Sequence, residues 1–319
     1  MATRSNPSRR DVIKTGLAIG AGMTLGWPAG TARAAQLPLI TKAMPGSGEK
    51  IPVVGIGTNA YNLSPELRPV LRDLMKRFVE LGGSVYDTAT GYARGESESV
   101  LGELATELNL RNKLFFVTKI TAPGDDLAQG RTLFDTSLSR LKTDRIDGLL
   151  VHNLQGVEAL IPAMREWKQA GKIKYLGIST SSDTQYPALL EHMKKHQLDL
   201  IQVDYSLGNR GAADELLPLA KDKGIGVMIN VPFGGRNRAN ANFARLASVP
   251  LPAWAAEFDC RTWPQFFLKY VISHPAVTMA IPGTRRIEHL EDNFGAARGR
   301  LPDQATRKRM EEFFDALPA

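Results

Sequence analysis

From about Leu37 onward, apolar residues alternate between short β-branched runs and longer stretches in which they recur every three or four positions. The short runs cover residues 53–56, 84–86, 114–118, 146–151, 175–178, 200–203, 226–230 and 278–281, and each reads as a strand. Between them lie helical stretches such as 156–170, where Val157, Leu160, Ile161, Met164 and Trp167 share one face before the stop at Gly171. Repeated strand–helix units over residues 35–319 fit a TIM barrel of about 250 residues with modest additions. The same repeat is also compatible with an open doubly wound sheet. We take the chain as an α/β protein, a (β/α)8 barrel.

Two segments depart from the repeat. Residues 39–52 contain Pro45-Gly46-Ser47-Gly48 between short apolar runs, which predicts a β-hairpin ahead of the barrel. Residues 233–260 are rich in Gly, Asn, Arg and Pro and read as a long loop. Gly55-Ile56-Gly57-Thr58-Asn59-Ala60 satisfies the loose glycine pattern of a dinucleotide-binding turn, but no helix opens until Ser64-Pro65 and Glu80 lies on that helix. A Rossmann turn therefore does not fit.

A composition of 43% hydrophobic and 23% charged residues in 319 excludes disorder, collagen and a small disulfide scaffold. Cys260 is the only cysteine, so no internal disulfide can form. The net charge of +7 raises the question of an acidic partner. Its distribution answers that question. Arg4, Arg9, Arg10, Lys14 and Arg33 against Asp11 give residues 1–34 a net +4 and leave +3 for residues 35–319. Ser8-Arg9-Arg10-Asp11-Val12-Ile13-Lys14, an uncharged run over 15–27 and Ala32-Arg33-Ala34 follow the order of a cleaved signal peptide. The arginine pair resembles a twin-arginine export signal, with Val12 where Phe is commonest. Thirteen uncharged residues are too few to cross a hydrocarbon core that needs about 20. The expectation is a leader over 1–34 handled by twin-arginine export machinery, a periplasmic barrel over 35–319, no stable membrane anchor and no nucleic-acid partner.

Four polar residues fall at or just beyond the C-terminal ends of predicted strands: Asp87, Tyr92, Lys119 and His152. In a barrel those ends share one mouth, where active sites lie. Singly, each has a structural explanation as a turn cap, loop aromatic, strand-end lysine or buried histidine. Together they suggest proton transfer. An ammonium beside a phenol favours phenolate, a carboxylate holds the ammonium in place, and a histidine can orient an oxygen beside it. His192-Met193-Lys194-Lys195-His196 has the spacing of a metal pair, but with no Glu between the histidines and two lysines beside them it reads as a solvated helix face. No metal is expected.

From Gly55-Ile56-Gly57-Thr58 through Asp87-Thr88-Ala89-Thr90-Gly91-Tyr92, Glu96-Ser97-Glu98, Thr118-Lys119, Arg145-Ile146-Asp147, His152, Leu176-Gly177-Ile178-Ser179 and Gln202 to Ile281-Pro282-Gly283, the order and spacing of short motifs resemble the aldo/keto reductase superfamily. The resemblance implies NADP(H)-dependent interconversion of an aldehyde or ketone and an alcohol, with NADP(H) preferred over NAD(H). It assigns Tyr92 as general acid, Asp87 and Lys119 as its tuning pair and His152 as the residue orienting the carbonyl. It places Ser179, Thr180 and Gln202 at the nicotinamide carboxamide, with Thr180 where Asn is usual, and Gly57, Thr58, Asp87, Phe233, Gly234 and Gly283 around the cofactor. Thr284 and Arg285 are implied at the adenosine 2′-phosphate with His289 facing it, Asp292 and Asn293 near adenine, and Arg236 and Arg238 closing over the pyrophosphate. One departure is larger. Where the family commonly has Tyr-Ser-Pro-Leu-Gly, with the Tyr stacked on nicotinamide, this chain has Asn230-Val231-Pro232-Phe233-Gly234. Asn230 can hydrogen-bond the edge of the ring but offers no aromatic face, so the alternative is a catalytically weak nicotinamide-binding barrel with a sensing or structural role. Tyr61, Trp254 and Phe258 are candidate pocket walls. The short, helical tail after Leu301 leaves little chain for a lid.

Overall fold

A computed structural model describes residues 37–234 and 238–317. β1 (Thr41–Ala43) and β2 (Lys50–Pro52) pair antiparallel, with Thr41 opposite Pro52, as the predicted hairpin. The barrel follows as β3 (Ile56–Gly57), α1 (Leu67–Glu80), β4 (Val85–Asp87), α2 (Glu96–Glu107), β5 (Phe115–Ile120), α3 (Leu127–Arg140), β6 (Ile146–His152) and α4 (Val157–Gln169). It continues through β7 (Ile173–Ser179), α5 (Tyr186–Lys195), β8 (Leu200–Asp204), α6 (Leu216–Asp222), β9 (Gly226–Asn230), α7 (Arg238–Leu246), α8 (Trp263–Ser273), β10 (Met279–Ala280), α9 (Ile287–Ala296) and α10 (Gln304–Asp315). β3 to β10 are parallel neighbours in chain order, and bridges Val54–Ala280 and Gly57–Gly283 join the last strand to the first. An open doubly wound sheet would reverse its order at a switch point. This sheet does not reverse, and it closes on itself.

The interior is filled by side chains. Val85, Phe115, Val117, Leu150, Leu200, Met228, Met279 and Ile281 form a buried cluster that also includes Met44 and Ile51 of the hairpin segment, so the hairpin plugs one end of the barrel. Lys42 fixes it there. Its ammonium donates to the carbonyls of Ile272, His274 and Val277 at 2.8, 3.0 and 2.6 Å, at and just beyond the C-terminal end of α8, where a cation also meets the negative end of the helix dipole. Outside the barrel, α4 buries Val157, Leu160, Ile161, Met164 and Trp167 as its spacing predicts. Trp167 stacks on Phe134 of α3 at 4.0 Å, joining the two helices through the large apolar area of both rings.

Residues 233–260 are not the loop that their composition predicts. They carry α7 and a 3-10 turn over Ala253–Phe258. In α7 Phe243 meets Phe233 and Phe267 at 5.3 and 5.8 Å, and Arg245 lies over the Phe314 ring and donates to the Phe314 carbonyl. Phe243 and Leu246, three residues apart, share one helical face, a short signal masked by the Gly, Asn and Arg around it. The predicted leader and Arg236 lie outside the described residues. Among the described residues no helix is long and apolar enough to cross a membrane.

Candidate active site

The parallel sheet brings the C-terminal ends of β4, β5 and β6 to one mouth, where Asp87 and His152 end their strands and Lys119 is the last residue but one of its own. Tyr92 opens the turn after β4, and Ala93 and Arg94 follow it in the left-handed region, a strained backbone of the sort concentrated at functional sites. Gly95, at φ +94°, ends that turn, and a Cβ there would fall 2.2 Å from the Arg140 guanidinium. Arg140 faces Glu98, which is fully buried and accepts from Thr118 at 2.6 Å and Ser137 at 2.8 Å. The Glu96-Ser97-Glu98 motif thus braces the residue before Lys119. Ser97 does the same on the other side, bonding Thr58 and Thr88 at 2.8 and 2.9 Å.

Lys119 is fully buried, and its ammonium donates to both Asp87 carboxylate oxygens at 2.8 Å, to the Thr88 carbonyl at 2.7 Å and to the Tyr92 hydroxyl at 3.4 Å. Burial pushes the Asp87 carboxyl above its ordinary value, against the pull of Lys119 and Gln202. Burial alone would also discharge Lys119, but the facing Asp87 and Tyr92 outweigh it and hold the ammonium above its ordinary value. The two directions conflict. The bidentate geometry fits charge-assisted bonds, and we read Asp87 and Lys119 as an ion pair. The Tyr92 ring meets His152 edge-on at 5.9 Å, so the phenol and imidazole flank the same space.

That space is a cleft of about 560 Å³, within the range of ligand sites. Gly57, Thr58, Asp87, Tyr92, His152, Ser179, Thr180, Gln202, Asn230, Phe233, Gly234 and Gly283 all line it, so most of the mouth residues expected from sequence converge. Gln202 donates to Asp87 at 2.8 Å, tying the end of β8 to the ion pair. Thr180 turns its hydroxyl away to Gln185 at 2.5 Å. Asn230 donates to the Thr180 carbonyl at 3.0 Å, and its own Oδ1 is buried with no partner among the described residues. An acceptor left in that state is costly unless a ligand donor completes it. Val231, also in the cleft wall, has φ 48°, a genuine outlier for a β-branched residue.

The three expected pocket walls are corrected, and the residues expected at the adenosine end lie beyond the cleft lining. Tyr61 is buried in the core with its hydroxyl on the Thr284 carbonyl at 2.9 Å, and it does not line the cleft. Trp254 and Phe258 pack with Phe266 and Phe313 and fasten their segment to α8 and α10. Asp292 is held by Thr262 at 2.9 Å and Gln265 at 2.8 Å, and Asn293 is buried. The Thr284 hydroxyl bonds the Arg286 backbone, while Arg285 and His289 are exposed near the start of α9. Sequence reasoning also missed Asn153, Ser181 and Pro282, which line the cleft. Asn153 and Ser181 lie in the loops just past strand ends already singled out, which is the signal that could have found them.

The model of the Aldo/keto reductase family matches residues 53–312. A methylglyoxal reductase of Escherichia coli strain K12 is 31% identical over 245 residues, 76% of this chain and 84% of that protein. An aldo/keto reductase from Klebsiella pneumoniae, solved in complex with NADP and acetate, is 25% identical with a TM-score of 0.70, covering 85% of this chain and 94% of that one. An aldo-keto reductase from Bacillus halodurans in its holo form superposes with a TM-score of 0.71 at 22% identity, over 86% and 96% of the two chains.

Proposed function

This chain belongs to the aldo/keto reductase family and is an NAD(P)H-dependent oxidoreductase, and on that premise we propose that it reduces small aldehydes or ketones with Tyr92 as the proton donor. The observation that carries the proposal is the buried line from Asp87 through Lys119 to the Tyr92 hydroxyl at the edge of the cleft. Asp87 keeps Lys119 charged and in place. The ammonium stabilises the phenolate left when the Tyr92 proton moves to the carbonyl oxygen, and His152 orients that oxygen from the facing side.

The residues of the cleft fit a nicotinamide. The orphan Oδ1 of Asn230 needs an N–H donor, which a carboxamide provides, and Ser179 and Gln202 stand beside it. Gly57 and Gly283 face each other so closely that a Cβ on Gly283 would come 3.3 Å from the Gly57 carbonyl, leaving a backbone-walled cradle. Arg285 and the N-terminus of α9 would hold a phosphate, and an adenosine 2′-phosphate there would favour NADP(H), the cofactor bound to the Klebsiella relative. Bound in this cleft, reduced nicotinamide supplies the hydride. The name of the Escherichia coli relative points to methylglyoxal for that enzyme, and a small aldehyde is the substrate class we propose here.

We propose further that residues 1–34 are a cleaved twin-arginine leader and that the barrel over 35–319 works in the periplasm. The basic pair at Arg9-Arg10, the uncharged run and Ala32-Arg33-Ala34 support this. Retention of an Arg9→Lys/Arg10→Lys chain in the cytoplasm, against periplasmic recovery of the parent, tests it.

The activity is tested by following NADPH and NADH oxidation over a panel of carbonyl compounds. Turnover with small aldehydes, faster with NADPH, is expected. A second reading is favoured by Asn230 standing where a stacking aromatic is usual: a barrel that binds nicotinamide with negligible turnover. Tight NADPH binding with no turnover across the panel would select it and reject ours.

A further inference from the structure

His192 lies in the last turn of α5 and His196 is the extended residue that follows the helix, and the fold sets a carboxylate from α4 against both. Glu158 Oε1 lies 3.4 Å from His192 Nδ1 and 3.1 Å from His196 Nε2, and one ligand atom from each of the three side chains falls within 4.8 Å of the others. A Zn2+ ion with bonds of about 2.0–2.2 Å to nitrogen and carboxylate oxygen has ligands about 3.3–3.5 Å apart along each tetrahedral edge. The two Glu158–His distances are already close to that. The histidine side chains are 22% and 10% exposed, whereas that of Glu158 is 46% exposed, so the cluster is anchored on one side and open to an ion on the other. None of the three lines the barrel-mouth cleft.

We propose that Glu158, His192 and His196 form a site for a divalent transition-metal ion of the zinc type, which clamps α4 to α5. Two imidazoles and one carboxylate are a donor set that suits such an ion and leaves at least one position for water. The imidazoles bind as neutral rings. In the metal-free state the ring nitrogens hydrogen-bond Oε1, and binding shifts each ring to the tautomer with a free lone pair. Lys195 is the competitor. Its ammonium holds Glu158 Oε2 at 2.6 Å, whereas Lys194 is turned to Glu191 at 2.9 Å. One carboxylate oxygen therefore remains for the ion, and the lysine lowers affinity without blocking the site.

The test titrates Zn2+ into the untagged full chain against a chromophoric chelator, with Mg2+ as the hard-cation control. One Zn2+ per chain is expected, with no Mg2+ binding. His192→Ala and His196→Ala should each weaken Zn2+ at least about tenfold, as loss of a metal-site partner does, and Lys195→Met should tighten it. Zn2+ should raise the unfolding temperature of the parent chain and not that of Glu158→Gln, a variant that keeps the side-chain shape if either alanine variant folds poorly. No Zn2+ binding, or the same affinity and thermal shift in the variants as in the parent, would overturn the proposal.

Discussion

Lys119 places its ammonium 2.8 Å from each carboxylate oxygen of Asp87, with both side chains out of solvent. Removing one member of a buried pair leaves the other charge uncompensated, at a cost of about 3–5 kcal/mol. Lys119→Met should therefore lose stability of that order in urea unfolding. The double variant Asp87→Asn/Lys119→Met should recover part of the loss. Strictly additive losses would show that the two residues are not coupled as described.

The turn after Tyr92 depends on Gly95. At φ +94°, with Arg140 2.2 Å from where a Cβ would lie, Gly95→Ala should cost at least the roughly 1–2 kcal/mol of a left-handed alanine and push Arg140 from Glu98. Gly91 has a negative φ and open space around its Cβ position, so Gly91→Ala is the control and should unfold close to the parent. Equal melting temperatures for the two variants would contradict the geometry.

His274 makes stability depend on pH. Its Nδ1 accepts from the Ala276 amide at 3.2 Å, which requires an unprotonated nitrogen, and burial with Arg307 and Lys42 lowers its pKa from 6.5 to about 4. The unfolded chain takes up the proton first as pH falls. The contribution is thus complete above about pH 6.5 and is lost progressively toward about pH 4. Over that window the parent should lose stability faster than His274→Gln. Parallel curves would exclude His274 as the source.

Asn230 carries a buried hydrogen-bond acceptor that no group among the described residues satisfies. Its truncation to Ala should weaken NADPH binding about 2- to 10-fold, the worth of one hydrogen bond at about 0.5–1.5 kcal/mol, as read by fluorescence titration. Unchanged affinity would mean that Asn230 does not meet the cofactor.

The barrel was legible in the chain because strand and helix periods alternate, and the site because Asp87, Lys119 and His152 sit where strands end. What escaped depends on contacts between distant segments. The residues of α7 do carry a helical spacing at Ala239, Phe243 and Leu246, but it spans only nine residues amid Gly, Asn and Arg, and Phe233, Phe267 and Phe314 anchor it. A loop aromatic can face ligand or core with the same sequence, and Tyr61, Trp254 and Phe258 face the core. Asp292 reads as free for a nucleotide until Thr262 and Gln265, on and just before α8, are seen to hold it. The His192–His196 pair reads as a solvated face because its carboxylate comes from Glu158, 38 residues before His196 on another helix.

Single-turnover reduction of an aldehyde by the NADPH-loaded Tyr92→Phe chain bears most directly on the role of this site. Phe keeps the ring against His152 and removes the hydroxyl beside Lys119. NADPH affinity should stay near that of the parent while the reduction rate falls about 10²- to 10⁴-fold, the usual worth of a positioned general acid. A rate close to the parent's, with NADPH bound normally, would show that Tyr92 does not donate the proton.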